Sequence, residues 1–511
     1  MKLKRTSALY GTLLLTATGS ANQLLGFLYR IFLSRMVGSE VMGLYQLVMP
    51  VYSVLMSLTS VGLTAAVSTL TSEYQALGNR RAAGQLLHRC LLLFVLLLAL
   101  PAFLVSVLSD PVSVYILGDA RTRLGLLVLL PCVLLTGVEN IHKHAFYGAG
   151  MIRPPAFTEL LEQVVRTTAV LGLLAFFLPQ NPERTVGLIV SGMVICEIFS
   201  VCALSILYRQ WQGALSGPKG TGVLSRDLNR RIAHIGLPIA ATSLLGNLMG
   251  SACAVLIPQK LVEGGMEVSK AISAFGVMFG MSLPLLGLPT AFIGALGLML
   301  VPRLAESAAL GRKSETHRRI SNALLATSVL ILPSTVFLTV LGPTLGTVLF
   351  REPTVGDYLI PLSLGMVLSC YQSVLSASLN GIGRHAAAAR NALLSGAVEL
   401  AGVFFTVGLP GVGLGGFAAA FVLSSLLGAG LNVISLRRAS GLKLHLFQWF
   451  TAPGLSALLM GLNVNLLFHL LQDRGLSPGG AMAACLPFGL VLYLAALSAQ
   501  GMGLLRLRTH F

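Results

Sequence analysis

Hydrophobic positions along this chain gather into long runs of roughly 20 residues, separated by short stretches that hold most of the charge. A run of that length is what an α-helix needs to cross the hydrocarbon core of a bilayer. Fourteen such runs can be read, at 8–33, 44–70, 86–108, 123–146, 156–178, 186–208, 232–257, 271–301, 320–342, 357–379, 387–409, 412–436, 449–471 and 480–505. None shows the alternation of a membrane β-strand. The first run is interrupted by Asn22, Gln23 and Arg30, and the eighth by Pro284 and Pro289. Lys2, Lys4 and Arg5 ahead of an apolar stretch imitate a secretion signal, but the apolar character continues to Leu33 and reads as a first span.

Composition narrows the class. Of 511 residues, 55% are hydrophobic and 10% charged, against about 25% charged in a soluble domain, so a soluble enzyme has too little polar surface to be built from this chain. The seven cysteines all fall in apolar runs, with no pair at metal-ligand spacing, and read as packing residues. No metal or cofactor is expected.

The net charge of +17 is a matter of topology. With the N-terminus in the cytoplasm and spans alternating, 25 of the 35 Lys and Arg fall on the cytoplasmic side and 8 outside, leaving Arg30 and Arg166 within spans. That asymmetry is the positive-inside pattern; it places both termini in the cytoplasm and requires no nucleic acid.

One internal offset recurs. Gly78-Asn79-Arg80 matches Gly311-Arg312-Lys313, Glu73 matches Glu306, and Gly148-Ala149-Gly150 matches Gly381-Ile382-Gly383, each pair 233 residues apart. The offset carries span 2 onto span 8 and span 4 onto span 10, so the unit is six helices in unchanged orientation. The expected fold is an all-α integral membrane protein with 14 transmembrane helices. Two six-helix lobes stand in a parallel pseudo-two-fold repeat, with two extra helices. The lobes are 1–209 and 230–440, joined by a cytoplasmic connector at 210–229, with an appended pair in 441–511. Two similar lobes rocking about a central site suit alternating access.

Ionisable groups within spans are costly and mark sites of interest. Arg30 can snorkel to the interface or present a guanidinium to a phosphate. Glu162 and Arg166, four residues apart, can pair on one helical face; Arg166 also corresponds to Glu399 at the 233 offset. Glu139, ahead of His142, Lys143 and His144 near a cytoplasmic end, can meet those cations. Glu197 has no cation nearby in sequence and is open to two readings, a proton carrier or a partner for an Arg on another helix. Asn22 and Gln46 add uncharged polar groups. No P-loop or zinc-protease motif is present, so energy would come from an H⁺ or Na⁺ gradient, the membrane potential or consumption of product on the far side.

The segment Gly26-Phe-Leu-Tyr-Arg-Ile-Phe-Leu-Ser-Arg-Met-Val-Gly-Ser-Glu-Val-Met-Gly-Leu-Tyr-Gln46, continuing through Tyr52 to Ser72-Glu73, resembles the start of the stage V sporulation protein B family. That family belongs to the polysaccharide-exporter branch of the MOP flippase superfamily, related to MurJ-type lipid II flippases and MATE exporters. The resemblance implies a bacterial cell-membrane flippase, not an enzyme, for an undecaprenyl-pyrophosphate-linked cell-wall or polysaccharide precursor such as lipid II, in sporulation or wall synthesis. Its implied partners are that lipid-linked oligosaccharide and membrane lipid. Arg30 and Arg35 fit the basic residues of the family's first helix, and spans 13 and 14 would hold the polyprenyl tail. Candidate substrate contacts are therefore Arg30, Arg35, Arg166, Gln46 and Asn22; candidate coupling or gating groups are Glu197, Glu399, Glu162 and Glu139. The alternative is a cation-coupled multidrug exporter of the MATE type, which would rely on the carboxylates.

Overall fold

The computed structural model describes residues 8–178, 181–214, 224–441 and 447–501. Lys2, Lys4, Arg5, Lys219, Lys443, Arg506 and Arg508, and the middle of the expected connector, lie outside the described residues.

Every regular element among the described residues is helical, because a bilayer leaves the backbone no water to bond to and a helix satisfies its own amides and carbonyls. The long helices are α1 (Ala8–Thr59), α2 (Val61–Ala76), α3 (Arg80–Val107), α4 (Arg123–Gly148), α5 (Arg153–Phe177), α6 (Pro182–Ala214), α7 (Ser225–Glu263), α8 (Val268–Phe275), α9 (Thr290–Ala309), α10 (Lys313–Val340), α11 (Val355–Gly381), α12 (His385–Thr406), α13 (Leu414–Ser440), α14 (Ala452–Asp473) and α15 (Pro478–Ala499). Lipid-facing surface is plain on α3, where Leu96, Leu100, Phe103 and Val107 are all exposed. Thirteen of the described helical stretches are long and apolar enough to cross a membrane, and the protein is a multi-pass membrane protein.

The run count and the helices differ in three places. The first run and the start of the second belong to one bent helix, since α1 continues through its polar interruption and turns at Gly38, whose φ of 76° and ψ of 176° suit glycine alone, and the rest of the second run falls in α2. The eighth run is divided around its prolines, with α8 and a further turn of helix at Leu283–Gly287 before α9 begins. The eleventh run is α12, whose alanine-rich sequence with Arg390, Asn391 and Glu399 keeps it out of the thirteen. A count of fourteen therefore rests on α12.

The chain forms two compact units, residues 1–262 with 266–276 and residues 263–265 with 277–511. In the first, α6 packs most closely on α4 and α5, and α2 on α4. The second repeats this with α13 on α11 and α12, and α9 on α11. The repeat shows in the backbone as well. Gly78 and Gly311 both have φ of 67°, and Gly150 and Gly383 have φ of 74° and 77°.

Close packing in the first unit depends on small residues. A Cβ at Gly137 of α4 would lie 1.9 Å from the ring of Phe94 on α3, and Phe94 is fully buried with no room to swing away. Gly137→Val should destabilise the protein by about 2 kcal/mol through overpacking, and Phe94→Leu should recover part of that loss. Thermal unfolding in detergent checks both, and an unchanged transition in Gly137→Val would contradict this packing.

Candidate functional site

On the first helix, Asn22, Gly26 and Arg30 recur every four residues and so share one face. Gly26 places that face against α5, since its Cβ would stand 3.7 Å from Gln163 Nε2. Arg30 is half-buried there, and among the described residues it has no hydrogen-bond or ion-pair partner. Arg30 and Arg166 both lie near enough to the hydroxyls of Tyr29 and Tyr45 to act on them electrostatically. The Tyr29 hydroxyl and Asn22 Oδ1 are buried without a partner. Tyr45 donates to Met193 Sδ at 3.5 Å. Gln46 is half-buried and Arg35 exposed.

A denser set of charges joins α4, α5 and α6. Lys143 Nζ lies 2.8 Å from Glu139 Oε1, 3.3 Å from Glu162 Oε2 and 3.5 Å from Glu159 Oε1. Arg166 Nη2 is 2.6 Å from Glu162 Oε1 and 3.4 Å from Glu197 Oε1, while its Nε donates to Cys196 Sγ at 3.4 Å. Glu139, Lys143, Glu162 and Glu197 are buried. The cause is local: Glu139 and Lys143, like Glu162 and Arg166, are four residues apart and stack along their helices, and tight packing of α6 brings Glu197 to Arg166. Four carboxyls against two cations leave the cluster acidic, and Glu197 Oε2 has no partner.

Glu162, Cys196 and Glu197 bring ligand-type atoms within 4.8 Å of one another. The Arg166 guanidinium bonds to all three, so it holds the place an ion would take. A buried charge is tolerable only when so paired.

The second unit carries a related arrangement made of uncharged groups. Asn391 Nδ2 donates to Asn432 Oδ1 at 2.9 Å and to Ser435 Oγ at 3.1 Å. Asn432 donates to the Gln372 carbonyl, and Gln372 to Ser395 Oγ. Ser395 donates to the Ser424 carbonyl, and Ser424 Oγ to Glu399 Oε2 at 3.0 Å. At the 233 offset Gln372 stands for Glu139, Ser395 for Glu162 and Glu399 for Arg166. The same three-helix junction is thus ionic in one unit and amide-lined in the other. Glu399 has no ion pair among the described residues, and Asn391 Oδ1 is buried without a partner.

Of the two readings open for Glu197, the structure supplies the Arg partner on another helix. The pairs Glu162 with Arg166 and Glu139 with Lys143 stand as their spacing suggests. Sequence reasoning overlooked Lys143 as a hub, Glu159, and the Asn391 and Asn432 pair. The four-residue step from Glu139 to Lys143 and the asparagines inside apolar runs were the available signals.

Comparison with known proteins extends the picture. The family model for polysaccharide biosynthesis proteins matches residues 8–261, and that for the lipid II flippase MurJ matches residues 271–478. The chain is 25% identical over 431 residues to stage V sporulation protein B of Bacillus subtilis, covering 83% of this chain and 82% of that one. It is 24% identical over 357 residues to lipid II flippase MurJ of the same organism, covering 66% and 65%. Among solved structures, MurJ in an inward closed conformation superposes with a TM-score of 0.68 at 13% identity, covering 96% of this chain and 98% of that chain. An inward-facing MATE transporter of the MOP superfamily gives 0.67 at 16% identity, covering 82% and 94%. The fold is that of MurJ and MATE transporters. The likeness first visible in residues 26–73 thus runs along most of the chain, which is similar to stage V sporulation protein B over 83% of its length.

Proposed function

We propose that this protein is a flippase that carries an undecaprenyl-pyrophosphate-linked cell-wall or polysaccharide precursor, lipid II or a relative, across the bacterial cytoplasmic membrane by alternating access. The observation that carries this reading is Arg30, a half-buried cation on the first helix with no carboxylate partner among the described residues. An unpaired guanidinium in a span is costly unless it serves an anion, and its planar donors suit phosphate oxygens. The family relationship supports the same substrate class. Asn22 and Gln46 offer further polar contacts, with Arg35 toward the interface. Arg166 is occupied by Glu162 and Glu197, which gives it a structural part ahead of a substrate one.

The process needs no covalent chemistry. The lobes are taken as residues 1–209 and 230–440, with both termini in the cytoplasm. Coupling to H⁺ or Na⁺ would use Glu197, whose Oε2 is unpartnered, and Glu399, which accepts from Ser424. Those groups also favour the second reading, a cation-coupled exporter of the MATE type, a fold these structures share.

In cells depleted of this protein, wild type should restore extracytoplasmic lipid-linked precursor, and Arg30→Ala should fall short by at least about tenfold, the loss expected for one charge-assisted phosphate contact. Normal rescue by Arg30→Ala together with failure of Glu197→Gln would instead establish the exporter reading. Stability separates the two arginines. Arg166→Ala should cost about 3 kcal/mol by stranding Glu197 and leaving Glu162 to Lys143 alone, whereas Arg30→Ala should leave thermal unfolding in detergent unchanged. The hydroxyls of Ser39 and Ser273 are 2.6 Å apart. In a Cys202→Ala background, a Ser39→Cys, Ser273→Cys disulfide should arrest transport and its reduction should restore it; undiminished transport by the oxidised protein would contradict alternating access.

A further inference from the structure

The bend of α1 is tied to α8 by a set of contacts that the substrate reading does not use. Glu40, two residues beyond the Gly38 turn, pairs with Arg121 Nη1 at 2.8 Å, and its same Oε1 accepts from Ser269 Oγ at 2.7 Å. Asp119 holds Arg121 in place. Its Oδ2 is 2.8 Å from Arg121 Nη2, both its oxygens are 3.1 Å from Nε, and Oδ1 also accepts the Arg121 backbone amide at 2.8 Å. Beside this lies the Ser39 and Ser273 hydrogen bond.

The backbones meet where these side chains do. A Cβ at Gly43 would come within 2.1 Å of the Ile272 carbonyl, and one at Gly276 within 2.0 Å of the Ser39 carbonyl. Ser269 and Ser273 fall on one face of α8, and Gly276 follows its last residue. A cleft of about 750 Å³, lined in part by Ser39, Glu40, Thr185, Ser269 and Lys270, reaches the contact from the side. Glu40 and Arg121 are each about one third exposed, so water can compete for both. Immediately past Gly276 the chain leaves this unit for the other.

We infer that Glu40 is the catch of a latch, with Arg121, braced by Asp119, and Ser269 as its two keepers and Gly38 as its hinge, and that release of Glu40 frees α8 from α1. One carboxylate oxygen serving two separate elements makes their attachment conditional on a single group. The glycine pairs add fit without directional bonds, which leaves the Ser39 and Ser273 hydrogen bond as the further polar contact to part once Glu40 is released. This inference rests on reading the chain as a transporter that changes conformation, but its test needs no transported lipid.

In the Cys202→Ala background, copper-catalysed disulfide formation between Ser39→Cys and Ser273→Cys reports the closed contact, and alkylation of Ser39→Cys alone by a membrane-impermeant maleimide reports the open one. Glu40→Gln should slow the disulfide about fivefold and speed alkylation about as much, the effect of losing one partly exposed charge pair. Ser269→Ala should move both rates in the same direction and decides the matter if Glu40→Gln does not fold. Arg123→Gln, which breaks an exposed pair with Asp110 nearby, should change neither. Unaltered rates in both folded latch variants, or equal changes in Arg123→Gln, would overturn the latch. Failure of the flippase reading would show instead as intact latch kinetics in a protein that moves no lipid-linked precursor.

Discussion

An ion in the hydrocarbon core must find a counter-ion or a wet surface, and that requirement organises this molecule. In the first unit Lys143 and Arg166 gather Glu139, Glu159, Glu162 and Glu197 into one cluster that stitches α4, α5 and α6 together. The cluster is a structural commitment, because removing either cation leaves a buried carboxyl without its counter-ion. Against that background an arginine left without a carboxylate is informative. Arg30 is such a residue among those described, and the proposed function gives it an external partner.

Duplication lets the same junction be built in two chemistries. Where the first unit places Glu139, Glu162 and Arg166, the second places Gln372, Ser395 and Glu399, and asparagines and serines replace ion pairs as the links between helices. Amide and hydroxyl networks carry less electrostatic energy and a smaller desolvation penalty. The two halves can therefore share a fold while differing in what they bind or release. This is one physical sense in which a family fold common to lipid flippases and drug exporters leaves function to particular side chains.

Much of this was legible before any coordinates. Span-length apolar runs announce membrane helices because backbone satisfaction leaves no alternative, and the Gly78 and Gly311 landmarks announce the repeat because both end a helix with the same left-handed turn. Pairs four residues apart on one helix were equally readable, as Glu162 with Arg166 shows. The union of the first run with the start of the second in one bent helix was not, since a glycine in a turn and a glycine in a kink look alike in sequence. Contacts between helices distant in the chain were also hidden: nothing near Glu197 points to Arg166, and nothing near Glu40 points to Arg121 or Ser269.

The central claim is that Arg30 is kept for a phosphate. Its most direct measurement is the affinity of the purified protein for undecaprenyl pyrophosphate, by native mass spectrometry or fluorescence in detergent. Binding should weaken at least about tenfold in Arg30→Ala, with the loss shrinking as salt is raised. Equal affinity in wild type and Arg30→Ala, at low salt and in folded protein, would contradict the account.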